Sequence, residues 1–186
     1  MRRLCAALVH HPVHDRQRAI VTTAITNLDL HDIARSAHTY GLSDFFVVHP
    51  ISAQRELAER VREHWVSGSG ARRIPDRSPA LSIIRVVPDV DSAIAAIGPE
   101  VEIWTTSALE RARSLTFPAA RERLQQPGPP VLILFGTGWG LADALCARAD
   151  QEIEPIRSPR ADGYNHLSVR AAAAICFDRL CGVRTG

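Results

Sequence analysis

The stretch VLILFGTGWGL, residues 131–141, decides how this chain folds. Its first five residues, Val131 to Phe135, are uninterrupted and apolar, as in a strand buried on both faces of a sheet. Gly136, Gly138 and Gly140 follow at alternate positions, where the missing Cβ lets the backbone turn sharply and approach a ligand closely. The pattern from Ala142 to Ala149 then predicts a helix whose first amides face that loop. Strand, glycine loop and helix in this order build a parallel sheet that binds ligands beyond the carboxyl ends of its strands. Two other readings compete with a ligand loop. One is a plain tight turn; the other is a dinucleotide fingerprint in which Glu154 contacts a ribose. The fingerprint fits poorly, because its glycines are spaced differently and only one further strand can follow.

Working outward, apolar runs alternate with helical stretches along the chain. Strands are predicted at Leu4 to Val9, Phe45 to Val48, Ile83 to Val87 and Val101 to Thr105, with a short extended run from Glu152 to Ile156. Helices are predicted from His31 to Tyr40, ending at Gly41, and from a Ser52 cap through Val66 with Leu57 and Val61 inward. Arg55 with Glu59, and Glu56 with Arg60, are expected as ion pairs one turn apart on that second helix. Further helices are expected from Asp91 to Ile97 capped by Asp89 or Asp91, around Ala119 to Leu124 within the polar stretch from Leu109 to Gln126, and from Val169 to Leu180. Ser67 to Pro79, with Arg72, Arg73 and Arg77, reads as an exposed flexible loop. The fold class expected is α/β, a mostly parallel sheet with helices on both faces, in a single domain over residues 1–186.

The composition is that of a globular protein, 46% hydrophobic and 23% charged, without a run long enough to span a membrane. All 22 basic residues are arginine, a skew that GC-rich codon usage explains as well as phosphate binding does, and the net charge of +2 selects no partner. Cys5, Cys146, Cys176 and Cys181 lack the pairing of a zinc site or a disulfide scaffold, so reduced thiols in a cytoplasmic protein are expected. His10, His11 and His14 form no metal site in this reading, because Pro12 breaks any helix that would align them, and no metal is expected.

Three segments taken together resemble the SPOUT superfamily of RNA methyltransferases. They are Phe135 to Leu141, the Glu154-Pro155-Ile156 run, and the loop from Asn165 to Ala171 that opens the last helix. The stretch from Asn27 to Ala37, ending in Tyr40 and Gly41, looks like the superfamily's first motif, with Arg35 in the place of its arginine. The resemblance implies a deep C-terminal trefoil knot, which pattern reasoning excludes by default, a homodimer, and S-adenosylmethionine as cofactor. Carried over by position, cofactor contacts fall on Thr105, Thr106, Gly136, Gly138, Gly140, Leu141, Ile156, Leu167 and Ser168. Arg35 is the candidate for holding a phosphate or developing charge, with a surface pair to Asp29 or Asp32 as its plainer role; Asn165 and His166 are candidates for orienting the nucleophile.

The implied substrate is tRNA or rRNA. The target atom is left open between a ribose 2′-oxygen, which suits Arg35, and a base nitrogen, which suits a carboxylate such as Asp162. Departures from the superfamily pattern are Asp29 where its ribose-methylating members carry Asn, Gly138 where many carry Glu, and Tyr-Asn-His-Leu-Ser over residues 164–168 in place of Ser-Leu-Asn-Val-Ser. The competing classes are a knotted RNA-binding or dimeric scaffold without catalysis and, ranked last, a nucleotide-dependent oxidoreductase. Trp139, inside the glycine loop, is the tryptophan least explained by packing.

Overall fold

The computed structural model describes residues 1–109 and 114–184. Among these, six parallel strands form the main sheet: β1 (Leu4–Val9), β4 (Asp44–Val48), β5 (Ile84–Val87), β6 (Glu102–Thr106), β7 (Val131–Gly136) and β8 (Gln151–Ile153). Their order across the sheet is β5-β4-β1-β7-β6-β8. Two short strands, β2 (Val13–His14) and β3 (Ile20–Val21), form a separate antiparallel hairpin above β1.

Side-chain alternation divides the core into two layers, as a period of two requires. Leu4, Ala6 and Leu8 of β1, with Val131, Ile133 and Phe135 of β7, face one buried cluster. That layer is covered by α1 (Asn27–Thr39), α2 (Ser52–Val66), α4 (Ser78–Ser82), α6 (Phe117–Gln125) and α8 (Val169–Cys181). Cys5, Ala7 and Val9, with Leu132 and Leu134, face the other cluster under α5 (Val90–Ile97) and α7 (Asp143–Cys146). Helices therefore cover both faces of the sheet, as expected for the fold class. At the amino ends of the strands the sheet is tied by ion pairs: Arg2 and Arg123 to Glu102, and Arg3 and Arg85 to Asp44.

Several local expectations are corrected. Helix α1 begins at Asn27, not His31, because Thr26 caps it: its hydroxyl accepts from the Asp29 amide at 3.2 Å. In α2 the capping position belongs to Ile51, whose carbonyl receives the Gln54 and Arg55 amides, so Ser52 is already helical and caps nothing. The inner face of α2 is set by Ala58, fully buried, while Leu57 is 39% exposed. Arg55 donates to the carbonyls of His49 and Pro50, and Arg62 pairs with Glu59.

The stretch from Ser67 to Pro79 is not an open loop. It folds into α3 (Ser69–Arg73) and a 3-10 turn at Pro75–Arg77 that leads into α4. Buried Gly70 allows this, since a Cβ there would lie 2.7 Å from the His64 ring, and Arg77 stacks over Trp65 at 4.8 Å. The helix after the glycine loop is a single turn, ending at Cys146. The expected polar stretch from Leu109 to Gln126 includes residues 110–113, outside the described residues; its helical part is α6.

The placement of α2 gives a direct test. Leu57→Ser should change the urea midpoint little, within about 0.5 kcal/mol. Ala58→Leu, forced into the closed layer, should cost about 1–3 kcal/mol. The reverse ranking would mean the helix is rotated.

Candidate cofactor and RNA site

The carboxyl ends of β1, β7 and β6 lie side by side, and the glycine loop is built on that edge. The glycine loop after β7 folds back on itself, with the Gly140 amide bonded to the Thr137 carbonyl at 3.1 Å. A Cβ at Gly136 would lie 2.6 Å from the Leu141 nitrogen, so only glycine fits there without opening the loop.

The hairpin clamps the loop from the other side. The Trp139 amide donates to the His14 carbonyl at 2.9 Å, the His14 amide to the Gly140 carbonyl at 2.9 Å, and the Ala142 amide to the Pro12 carbonyl at 3.1 Å. Gly138 has φ +60°, and a Cβ on it would meet the His14 carbonyl at 2.9 Å. The glutamate that many superfamily members carry at this place would be excluded here by both backbone conformation and contact.

Beneath the loop runs a chain of side-chain hydrogen bonds whose direction follows from proton counting. The Thr137 hydroxyl has one proton, which it gives to the Val9 carbonyl at 3.1 Å; the alternative would set two acceptors against each other. Thr137 Oγ1 must then accept from Thr23 Oγ1, 2.5 Å away, and Thr23 Oγ1 must accept from His10 Nδ1 at 2.9 Å. His10 is thereby a neutral Nδ1–H tautomer with a buried Nε2 lone pair that has no partner among the described residues. His49 is fixed in the opposite tautomer: Nε2 donates to the Thr23 carbonyl at 2.9 Å and Nδ1 accepts from the Ile51 amide at 3.1 Å. Burial, and secondarily His49, push the His10 ring down to about 4. The three N-terminal histidines do not converge, since His11 bonds to Val21 and Thr22, and His14 to the Arg18 carbonyl.

An open cleft of about 310 Å³ is lined by Ala108, Pro155, Arg157, Ser158, Gly163 and Asn165. It joins the end of β6 to the loop before α8. Of the residues proposed from sequence, Asn165 lines this cleft, and its side-chain amide donates to the Ile156 carbonyl at 2.8 Å, closing the loop. Thr105 is buried with an unpartnered hydroxyl, whereas the Thr106 hydroxyl is spent on the Leu134 carbonyl at 2.9 Å. Leu141 is core, so only its backbone remains for a ligand. Ser168 caps α8 through the Ala171 amide, and Leu167 is exposed.

His166 lies against Trp139 of the glycine loop, ring centroids 6.4 Å apart. Arg35 is exposed on α1 and makes no ion pair among the described residues. The carboxylates considered as its partners belong to Arg170, which reaches Asp29 at 3.0 Å and Asp32 at 3.4 Å. Glu154, the would-be ribose contact of a dinucleotide site, instead accepts the Phe117 amide at 2.6 Å.

Sequence reasoning passed over Thr23, His49 and the partners of Arg170, and considered His10 only as a metal ligand, which it set aside. Arg170 and Asp29 lie 141 residues apart, a separation that no local pattern reveals. Thr137 was visible inside the loop, but its partner was not.

A family model described as SAM-dependent RNA methyltransferase matches residues 3–182. The chain belongs to this family. A tRNA (guanine-N(1)-)-methyltransferase of Oleidesulfovibrio alaskensis is 43% identical over 97% of this chain, which spans only 42% of that relative. An uncharacterized protein of Aquifex aeolicus is 35% identical over 94% of this chain and 86% of its own length. The fold is that of the SpoU methyltransferase AviRb from Streptomyces viridochromogenes, solved with AdoMet, at TM-score 0.56 and 14% identity, covering 97% of this chain and 57% of that one. Gly136 leaves the backbone of the loop open to close approach, and Thr105 holds a buried hydroxyl without a partner among the described residues.

Two outcomes follow from the histidine chain. Above pH about 6.5 the His10 contribution is fully present; between about 6.5 and 4 only the unfolded chain takes up its proton, so stability falls, by up to about 3 kcal/mol. His49 and His31, also lowered by burial, act in the same sense. His10→Asn, which keeps a donor toward Thr23 without titrating, should flatten urea midpoints over that window. Thr23→Val should strand the His10 N–H and cost about 1–3 kcal/mol, with Thr23→Ser restoring wild-type stability.

Proposed function

We propose that this chain transfers a methyl group from S-adenosylmethionine to RNA, tRNA or rRNA, as a single knotted domain over residues 1–186 that works as a cytoplasmic homodimer. The observation that carries this is the family match across nearly the whole chain, together with the folded-back glycine loop beside the cleft. The knot is carried by the family membership; α8 packs against both α1 and α6, and β8, just before it, pairs with β6 at the edge of the sheet. No described helix is long and apolar enough to cross a membrane.

Bound S-adenosylmethionine would supply a methyl group already activated on a sulfonium sulfur, so the protein's task is alignment and charge placement. Backbone groups of Gly136, Gly138, Gly140, Leu141, Ile156 and Leu167, with Thr105, Thr106 and Ser168, are the proposed cofactor contacts. Asn165 orients the loop that faces the nucleophile, and His166 stands beside it. Arg35, without an ion pair among the described residues and permanently charged, is available to an RNA phosphate or to the attacking oxygen.

Asp162 and Asp29 are poor proton acceptors. Asp162 is held below the ordinary range by Arg160, with further help from the Tyr164 amide, and both oxygens of Asp29 are occupied, by Arg170 and Thr26. A ribose 2′-oxygen and a base nitrogen must each give up a proton to be methylated, so these two carboxylates do not select between them. The guanine N1 target in the relative's name belongs to a protein more than twice this chain's length and is not carried over.

Calorimetric titration with S-adenosylmethionine, its demethylated product and NAD should show saturable binding of the first two alone. Arg35→Ala should retain that binding while methyl transfer to bulk tRNA or rRNA falls at least about tenfold, equivalent to about 1.4 kcal/mol. Cofactor binding without any turnover in the wild type would favour the scaffold instead. Binding of NAD alone, or of nothing, would overturn the assignment.

A further inference from the structure

We propose that Trp139, Tyr164 and His166 form a stacking platform for an unpaired RNA base at the mouth of the cofactor cleft. The inference rests on the methyltransferase reading above, and adds to it the means by which one nucleotide of the substrate is held.

Large aromatic rings normally bring apolar area into a core, as Trp104 does here at 0% exposure. Trp139 and Tyr164 do the opposite, with 58% and 60% of their surface in water. Their backbones are nevertheless fixed: the Trp139 amide is bonded to the His14 carbonyl at 2.9 Å and the Tyr164 amide to Asp162 Oδ1 at 3.1 Å. Exposed rings on anchored backbones lose little conformational freedom when a ligand arrives.

The three rings meet by their edges. Trp139 and His166 are T-shaped at 6.4 Å and 78°, and Tyr164 and His166 are tilted at 5.5 Å and 54°. In neither pair are two faces stacked on each other, so flat surfaces stay open to a further planar group. Their location adds a second constraint. Gly163 and Asn165 line the cleft, and the residues alternating with them, Tyr164 and His166, stand exposed outside it. The rings therefore stand on the residues next to the cleft lining, at its margin.

The neighbouring charge suits a polyanion. The hairpin that holds Trp139 carries exposed Arg16 and, paired with Asp143, Arg18; the segment before Tyr164 carries Arg157 and, paired with Asp162, Arg160, and a phosphate would have to compete for the two paired guanidiniums. Arginine can bind phosphate and stack on bases alike. A planar aromatic cluster beside arginines matches single-stranded nucleic acid, where a base stacks on a ring and its phosphates meet guanidinium groups. Each such stack contributes about 1–3 kcal/mol, or about a fivefold to a hundredfold change in affinity.

Tryptophan emission reads the platform directly, since Trp104 is buried and Trp65 lies under Arg77. A single-stranded oligoadenylate should quench the solvent-exposed part of the wild-type emission, and Trp139→Leu should abolish that response. Trp139→Ala and Tyr164→Ala should weaken oligonucleotide binding by about fivefold or more, with Trp139→Phe retaining most of the affinity. An oligomer of the same length carrying abasic sugars should bind wild type as weakly as the alanine variants bind the intact oligomer.

Equal affinity for abasic and intact oligomers, or unquenched emission on binding, would overturn the platform. So would a blue shift that grows with protein concentration in the absence of RNA and tracks a dimer in sedimentation, which would give these rings to an interface between copies. Wild-type titration with S-adenosylmethionine is scored separately: its failure removes the methyltransferase reading, whereas quenching by the oligomer stands or falls alone.

Discussion

Six consecutive register pairs, Leu4 with Val131 through Val9 with Gly136, join the first strand of the chain to the strand that leads into the glycine loop. Both strands are buried along almost their whole length, and the pairing is parallel, so their carboxyl ends finish together. The consequence lies in what each strand does next. The first turns into the His10–Thr23 segment and the other into the glycine loop, and the two exit side by side. The clamp of backbone bonds between His14, Trp139 and Gly140 exists only because of that alignment, and so does the buried chain from His10 through Thr23 to Thr137. A slip of one residue in this pairing would turn the inward residues outward and separate the loop from its hairpin at the same time.

The two ends of the sheet are finished in different ways. At the amino ends, arginine and carboxylate pairs neutralise one another around Glu102 and Asp44 and leave little for a ligand. At the carboxyl ends the polar groups beneath the loop are hydroxyls and neutral imidazoles, with Thr105 Oγ1 and His10 Nε2 left without partners among the described residues. Such a surface is suited to a nucleoside and to shape-selective contact, while charge is carried by arginines at its margin. The replacement of the superfamily's asparagine by Asp29 fits the same economy. Arg170 covers the added negative charge, and Thr26 donates to the second oxygen.

The strands were legible because fully buried parallel strands leave uninterrupted apolar runs, and Val131 to Phe135 is the clearest of them. The glycine loop was legible because Gly138 and Gly140 take positive φ, which few other residues tolerate. Where reading failed, the missing information was tertiary. Ser52 looks like a cap but lies one residue inside its helix, and Leu57 and Ala58 exchange roles because the helix docks by its small residue. The arginine-rich stretch after Val66 has the composition of a loop but folds into short helices once Gly70 lets it close on Trp65. The hairpin strands are two residues each, too short for periodicity to register. Motif order pointed to the glycine loop after β7, to Thr105 and Thr106 at the end of β6 and to Asn165 before α8, while residues defined by side-chain partnership across the chain, such as Arg170 with Asp29, had no signal in any window.

That last pair bears on how the protein is made. Asp29 leaves the ribosome 141 residues ahead of the arginine that neutralises it. Through the translation of everything between, the first helix must keep this carboxylate in water, although the finished protein leaves the residue only 7% exposed. The amino-terminal half can thus form its strands early, but its first helix settles against the last one only when nearly all of the sheet exists. Vectorial synthesis therefore makes completion of this edge a late step, and a nascent chain arrested before Arg170 emerges would hold an open, charged seam where the mature molecule is closed.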